Sequence, residues 1–449
     1  MQVIPSISKL RYSKKITDFF KYFLSALLLL TSFHFFAYGN NSEAIIQPKW
    51  TANLEAIAKP VATNKQLFVI NKIKTQFSDL KINEGIPSEL VALDIASGKV
   101  LWQKKLPPSQ PIARHQLFLD NGTIYVSHAN GLVGFKPETG SPTVSFKYTE
   151  DVHERTSDRT MGIYQDIAVY GDSRSLQNHD YKSTYRIEVF GISKDKTLWS
   201  YKPNIDGMIG ISVAHDSIEP VVQNGLLFLP SFNDTPSGRI EQFTVIDVTS
   251  GKVLWKWEAP QKPDGLWSTK IFGDTIYTSV FGNSDMQPSG RISAIDLKTG
   301  KEKWSYVATG KVKTVSDREV FVWQSEGNAG NNFVVLDKET GGFLRKFKLP
   351  RVYDTEPKNL TWSDGLIYAP DMEIKNATFG FYGSADNNSW VSAFDDKSGK
   401  LVWRTPTLLN SHIYHAPIIS KASSPKRLIF ASNFLKDDGN SKVQAFSIP

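Results

Sequence analysis

The residues with catalytic or ligating side chains gather in a few short stretches. His215, Asp216 and Glu219 close the stretch that begins at Pro203. A histidine beside a carboxylate is the pairing of a general base with the group that orients it, and equally that of a solvated loop end. Asp151, His153, Glu154, Arg155, Asp158 and Arg159 lie between Thr149 and Thr160. Such a charged run reads as a surface loop or, if the fold brings it to an axis, as the lining of a funnel. His412, Tyr414 and His415 offer two imidazoles without a carboxylate at metal-ligand spacing. Asp371, Glu373 and Asp386 lack the spacing of a calcium loop. There is no phosphate loop, dinucleotide fingerprint, nucleophile elbow or His-Glu-x-x-His sequence.

Aromatic residues supply the other candidates. Phe379, Phe381 and Tyr382, followed by Trp390, sit in a Gly-, Asn-, Ala- and Ser-rich segment, 370–389. Exposed together, they would make an apolar patch with a polar rim, the usual look of a protein-binding site. Trp267 is the aromatic best placed to act as a platform in a central funnel, against the simpler role of core packing.

These residues hang on a repeated unit. Ala-x-Asp, three residues, Gly, three residues, Trp occurs as Ala92, Asp94, Gly98, Trp102, as Ala294, Asp296, Gly300, Trp304, and as Ala393, Asp395, Gly399, Trp403. With Val first it is Val245, Asp247, Gly251, Trp255. Degenerate copies are Val335, Asp337, Gly341 with Arg345 in the Trp place, and Val189, Gly191, Asp195, Trp199. Another is Gly134, Lys136, Gly140, Val144, and an eighth begins at Ala445. The period of about 50 residues is near that of a propeller blade. Each unit reads as two strands and a tight turn, with Asp accepting turn N–H groups, Gly supplying positive φ and Trp burying a large face.

A second hairpin precedes most copies, marked by Asn121-Gly122, Asn224-Gly225, Gly273-Asp274 and Asp364-Gly365 between apolar runs. The unit is therefore four antiparallel strands, A to D. The eighth has Ala416–Ile419, Arg427–Ala431 and Val443–Phe446 but no fourth strand, and Pro48–Thr51, with Trp50 in the Trp place, is expected to supply it. An all-β, eight-bladed propeller over 40–449 follows. Its A–B and C–D turns share one face. Its longer B–C and D–A connections, at 71–89, 171–184, 231–242 and 370–389, share the other, where function is expected.

The first 39 residues read as a targeting segment: Lys9, Arg11, Lys14, Lys15 and Lys21 precede an apolar run from Tyr22 to Phe36, and Ala37-Tyr38-Gly39 offers a cleavage site. The run is short for a span, which favours a cleaved signal over a signal anchor. This segment carries five basic residues and one acid, so only +3 of the net charge of +7 belongs to the remainder, no footing for nucleic-acid binding. The chain has no Cys, hence no disulfide and no thiol to carry a lipid.

The motif resembles the tryptophan-docking motif of the PQQ-like (quinoprotein) β-propeller repeat family, over essentially all of 40–449. The resemblance implies either a non-catalytic, BamB-like scaffold or a quinoprotein dehydrogenase holding PQQ and Ca²⁺ in the funnel. The chain departs from both: the dehydrogenases commonly stack the quinone on a disulfide of adjacent Cys, and the scaffolds are usually lipoproteins. The expectation is a periplasmic or secreted monomeric propeller without cofactor, binding a protein partner through its variable face. A funnel enzyme, with His153, Glu154, Arg155, His215, Asp216, Trp267, His412 and His415 as candidates, is the alternative.

Overall fold

The computed structural model describes residues 44–73, 87–107, 115–128, 131–148, 159–177, 183–202, 211–212, 217–218, 220–235, 238–258, 265–281, 290–324, 332–350, 359–374, 387–420, 425–434 and 441–448. Residues 45–449 form one compact unit, and of 1–44 only Ala44 is described. Every regular element among the described residues is a strand.

Seven consecutive antiparallel sheets of four chain-ordered strands follow one another, that of blade 7 carrying a fifth, short strand at its outer edge. Blade 1 runs from Val61 to Lys105, blade 2 from Leu117 to Lys147, blade 3 from Arg159 to Tyr201 and blade 4 from Val221 to Glu258. Blade 5 spans Gly265 to Val307, blade 6 Lys311 to Lys348 and blade 7 Thr361 to Arg404. Blade 8 takes Ile418–Ser420, Arg427–Phe434 and Lys442–Ser447, and its outermost strand is Trp50–Ala52, with Trp50 opposite Ala445. The N-terminal strand thus closes the ring as the sequence indicates, which removes two exposed sheet edges.

The core is a set of apolar layers between neighbouring blades. Leu67, Val69 and Val91 of blade 1 meet Ile429 and Val443 of blade 8, and Tyr368, Val391 and Trp403 of blade 7 meet Leu428, Phe430 and Phe446 on its other side. Strand alternation explains this: each blade is buried on both faces, so its middle strands, such as Phe-Val-Val-Leu at 333–336, are continuously apolar.

Three of the long connections differ from the expectation. Within segments 171–184, 231–242 and 370–389, the described residues continue the ladder rather than leaving it. Leu226–Thr235 pairs with Gly238–Asp247 out to Thr235 opposite Gly238, and Ile167–Gln177 pairs with Ser183–Ser193 out to Gln177 opposite Ser183. In blade 7 the pairing runs to Ile374 opposite Asn387. In blade 7 the described extension is buried but polar, through Asp371, Asn387, Asn388 and Ser389, so no apolar alternation marks it as strand.

Candidate partner-binding face

The turn face is committed to holding the ring. In each full motif the Asp carboxylate caps its own turn: Asp395 Oδ1 accepts from Ser398 N at 2.7 Å and Ser398 Oγ at 2.6 Å. These bonds hold the Asp395 and Asp337 carboxyls below the usual range, the Ser398 and Thr340 hydroxyls acting most strongly. The Gly, at φ +71° in Gly98, seats the indole of the preceding blade: a Cβ on Gly98 would stand 2.5 Å from Trp50. That indole then donates to the turn's carbonyl. Trp50 Nε1 reaches Ile95 O at 2.7 Å, Trp102 reaches Pro137 O at 2.7 Å and Trp199 reaches Val248 O at 2.7 Å. Trp255 reaches Leu297 O at 3.0 Å and Trp304 reaches Lys338 O at 2.8 Å. Gly251, Gly300 and Gly341 seat Trp199, Trp255 and Trp304 in the same way.

The degenerate copies keep the tie by other means. Arg345 donates through Nη2 to Asp396 O at 2.6 Å and forks onto both oxygens of Glu319 at 2.7 and 2.8 Å, while Phe347 fills the seat at Gly399. Lys397 Nζ adds a contact to Glu319 at 3.0 Å. The Arg345 hydrogen bonds hold Glu319 below the ordinary carboxylate value. Blade 2, with Val144 in the Trp place, uses its backbone: Lys147 N donates to Lys194 O at 2.9 Å. Trp403 is buried, but its Nε1 has no acceptor among the described residues. Its neighbour, blade 8, is made from two separate chain segments and has no C–D turn to offer one.

The opposite face carries the extended hairpins, and at blade 7 they are pinned by a buried polar knot. Ser389 and Leu408 exchange backbone bonds at 2.9 and 2.8 Å, and Ser389 Oγ meets Ser411 Oγ at 2.6 Å. Asp371 Oδ2 accepts from Ser392 Oγ at 2.7 Å, and Ser392 Oγ accepts from Trp390 Nε1 at 3.1 Å. Trp390 is therefore not a rim residue as the sequence suggested. It is 5% exposed, lies under the Arg404 guanidinium at 5.4 Å, and anchors the hairpin, because its place opposite Asp371 turns it inward. Glu373 accepts from Asn388 at 2.9 Å. Beside the knot, His412 stacks on Tyr414 with centroids 4.2 Å apart, His415 is half-buried, and Leu409 and Tyr414 are exposed.

The remaining candidates are not brought together by what the structure describes. Phe379, Phe381, Tyr382, His153, Glu154, Arg155, His215, Asp216, Glu219 and Asp386 lie outside the described residues. Trp267 is the extra residue of a bulge between Leu266 and Ser268, and its side chain is outside them too. A central channel of about 650 Å³ is lined by inner strands, with Val61, Leu117, Met161, Val222 and Ile418 and one carboxylate, Asp120, near Asn64 and Asn224. Burial, and then the charge of Asp166, pushes Asp120 up. No three His, Asp or Glu side chains come together for a metal among the described residues.

One buried cluster was not foreseen. Between blades 1 and 2, His115 Nδ1 donates to Ser127 O at 2.6 Å, which leaves Nε2 to accept from Ser88 Oγ at 2.9 Å. Burial lowers the pKa of His115, and burial followed by the charge of His115 lowers that of His128. The pair has the outline of an activated serine, but Ser88 is 1% and His115 2% exposed, so no substrate carbonyl reaches the hydroxyl. It ties the two blades together.

An eight-bladed propeller held by indole-to-turn docking is the class that this geometry defines. The family model described as "Outer membrane protein assembly factor BamB" matches residues 47–317 and 241–344, and the chain belongs to that family. Among curated proteins it is 27% identical over 186 residues to polyvinylalcohol dehydrogenase of Sphingopyxis sp. (strain 113P3), covering 36% of this chain and 25% of that protein. It is 28% identical over 182 residues to quinohemoprotein alcohol dehydrogenase ADH IIB of Pseudomonas putida, covering 38% of this chain and 24% of that protein. The chain thus spans about a quarter of the length of these relatives. Among solved structures the Dos1 propeller superposes with a TM-score of 0.50 at 12% identity, over 91% of this chain and 96% of that one, a likeness of fold.

Proposed function

We propose that this chain is an exported, non-catalytic propeller that binds a protein partner through the face carrying its B–C and D–A connections, working in the assembly of the cell envelope. The observation that carries this is the asymmetry of the two faces. On one, the turn Gly residues and the indoles of Trp50, Trp102, Trp199, Trp255 and Trp304 are consumed in joining blades. On the other, the strand pairs of blades 3, 4 and 7 continue as far as Gln177, Thr235 and Ile374, and Leu409 and Tyr414 stand exposed beside blade 7. The description of the family model agrees with an assembly role. On this reading the ring is a monomer in the periplasm or secreted, residues 1–39 direct export, and no cofactor is needed.

The test is site-specific photo-cross-linking in the host envelope from residues 235, 374 and 409 on the hairpin face and 122 and 339 on the turn face. Cross-links to one identified protein from the hairpin face alone are expected. Replacing Phe379, Phe381, Tyr382 and Leu409 by Ala should abolish them without lowering the unfolding midpoint. Cross-links from the turn face, or a quadruple variant that keeps them, would sink the reading.

The curated relatives favour a second reading, a dehydrogenase with a quinone in the funnel. Saturable binding of PQQ with Ca²⁺, measured by fluorescence titration, would favour it over the scaffold.

A further inference from the structure

The central channel is polar at one end and aliphatic further in. Its walls are the innermost strands of blades 8, 1, 2, 3 and 4. Each of these strands runs into its A–B turn, and Asn64, Asp120, Asn224 and Ser420 stand at that end as a collar. Leu117, Met161 and Val222 come earlier in the same strands and line the channel below the collar. The volume of about 650 Å³ falls within the range of small-molecule sites, roughly 300–1,000 Å³.

Two features of the collar point to a ligand. Asp120 has no cationic partner among the described residues: the Gln165 backbone N–H bonds to it, while burial and the charge of Asp166 on the next A–B turn oppose its ionised form. Asp166 forms no ion pair among them either, and Lys65, on the blade 1 turn, is exposed and pairs with neither. Neighbouring carboxylates repel each other, and a cation at the channel mouth relieves both. Independently, Ser420 is 4% exposed and its Oγ has no hydrogen-bond partner among the described residues, an arrangement that native proteins avoid unless a further group meets the hydroxyl. An ammonium suits this collar, because its three N–H groups can reach carboxylate, amide and hydroxyl oxygens together. The aliphatic wall beneath suits methylene groups, which a bare metal ion would leave uncovered. We propose that the channel takes a primary aliphatic amine, with its ammonium held at Asp120 and its alkyl chain against Leu117, Met161 and Val222. The proposal goes beyond the partner reading and does not rest on it, since the A–B turns open on the face away from the extended hairpins.

The experiment is isothermal titration calorimetry of the full-length protein with hexylammonium, hexanol and hexanoate. Saturable binding of hexylammonium is expected, with the alcohol and the carboxylate at least about tenfold weaker. Asp120→Asn keeps the shape and removes the charge, so it should weaken the amine at least about tenfold and leave hexanol unchanged. Leu119→Trp fills the channel from a lining position that is 41% exposed, and should abolish binding of the amine. Glu339→Gln, on an exposed C–D turn of blade 6, should change nothing. Thermal unfolding establishes that each variant is folded, and if Leu119→Trp is not, the Asp120→Asn comparison decides. Failure of hexylammonium to saturate the protein below about 10 mM overturns the proposal. So does hexanol binding as tightly as the amine, an Asp120→Asn variant of wild-type affinity, or a folded Leu119→Trp variant that still binds.

Discussion

Trp50 and Ile95 meet across the seam of the ring, the indole N–H of one donating to the carbonyl of the other at 2.7 Å. Trp50 also pairs through its backbone with Ala445. A single residue near one end of the chain therefore ties blade 8 to blade 1. Trp50→Ala should cost about 3–5 kcal/mol, the range for truncating a buried Trp, and deleting Pro48–Thr51 should cost more by baring two edges. Thermal unfolding measures both, and unchanged midpoints would mean that the ring closes without this strand.

Gly98 and Gly122 both have positive φ, at +71° and +74°, but only Gly98 carries an indole against its Cα. Gly122→Ala should cost about 1–2 kcal/mol for the left-handed backbone alone. Gly98→Ala should exceed it by about 1–3 kcal/mol, since Trp50 has to be displaced. Urea midpoints of the two variants give the comparison directly, and equal losses would count against docking as the reason for the glycine.

Glu319 is titrated to the advantage of the fold. Its folded pKa lies below the ordinary value of 4.5, so its contribution is complete above that value and is lost as the pH falls through the lowered folded value. Glu319→Gln should remove that part of the acid-side decline and cost about 1–3 kcal/mol at neutral pH, by leaving Arg345 without its fork partner. Stability measured from neutral pH down through about pH 4 separates the two effects. A variant with the wild-type pH dependence would remove Glu319 as its source.

His115 works from the basic side. Its folded pKa is lowered from 6.5 by burial, so the unfolded chain takes up the proton first. The stability linked to it is whole above about pH 6.5 and declines as the pH falls below that, levelling at the folded pKa. His115→Gln should flatten the change in urea midpoint between about pH 7.5 and 5.5 relative to wild type, with His128 accounting for the remainder. Identical slopes would assign the effect elsewhere.

The blades were legible in the sequence because one interaction is repeated. Asp, Gly and Trp at fixed spacing each answer a fixed demand of the turn, so the pattern survives copying. Where the demand is met differently, the pattern marks the place but not the means. Arg345 stands visibly in the Trp position, yet its fork onto Glu319, 26 positions earlier, has no sequence signal. Ser88 and His115 are likewise 27 positions apart without periodicity, so the buried tie between blades 1 and 2 could not be read. The described hairpin extensions read as loop in the sequence because residues such as Asn387, Asn388 and Ser389 are polar and show no apolar alternation. Trp390 reads as a rim residue because it is aromatic in a polar stretch, whereas the structure buries it under Arg404.

The empty carbonyl seat opposite Trp403 bears on the order in which the ring is put together. Blades 1 to 7 can each dock on a neighbour made from nearby sequence as the polypeptide emerges. Blade 8 has to arrive last, as a three-stranded wedge driven between blade 7 and a strand that has waited since the beginning. Gln444 Nε2 finds Thr51 Oγ1 across 393 positions of chain, so this final step carries the largest loop-closure cost of the whole assembly. Until it is taken, the apolar flanks of blades 7 and 1 stay bare. That interval is when a newly made chain is open to aggregation or proteolysis, and it makes the keystone blade the natural point for a folding helper to act.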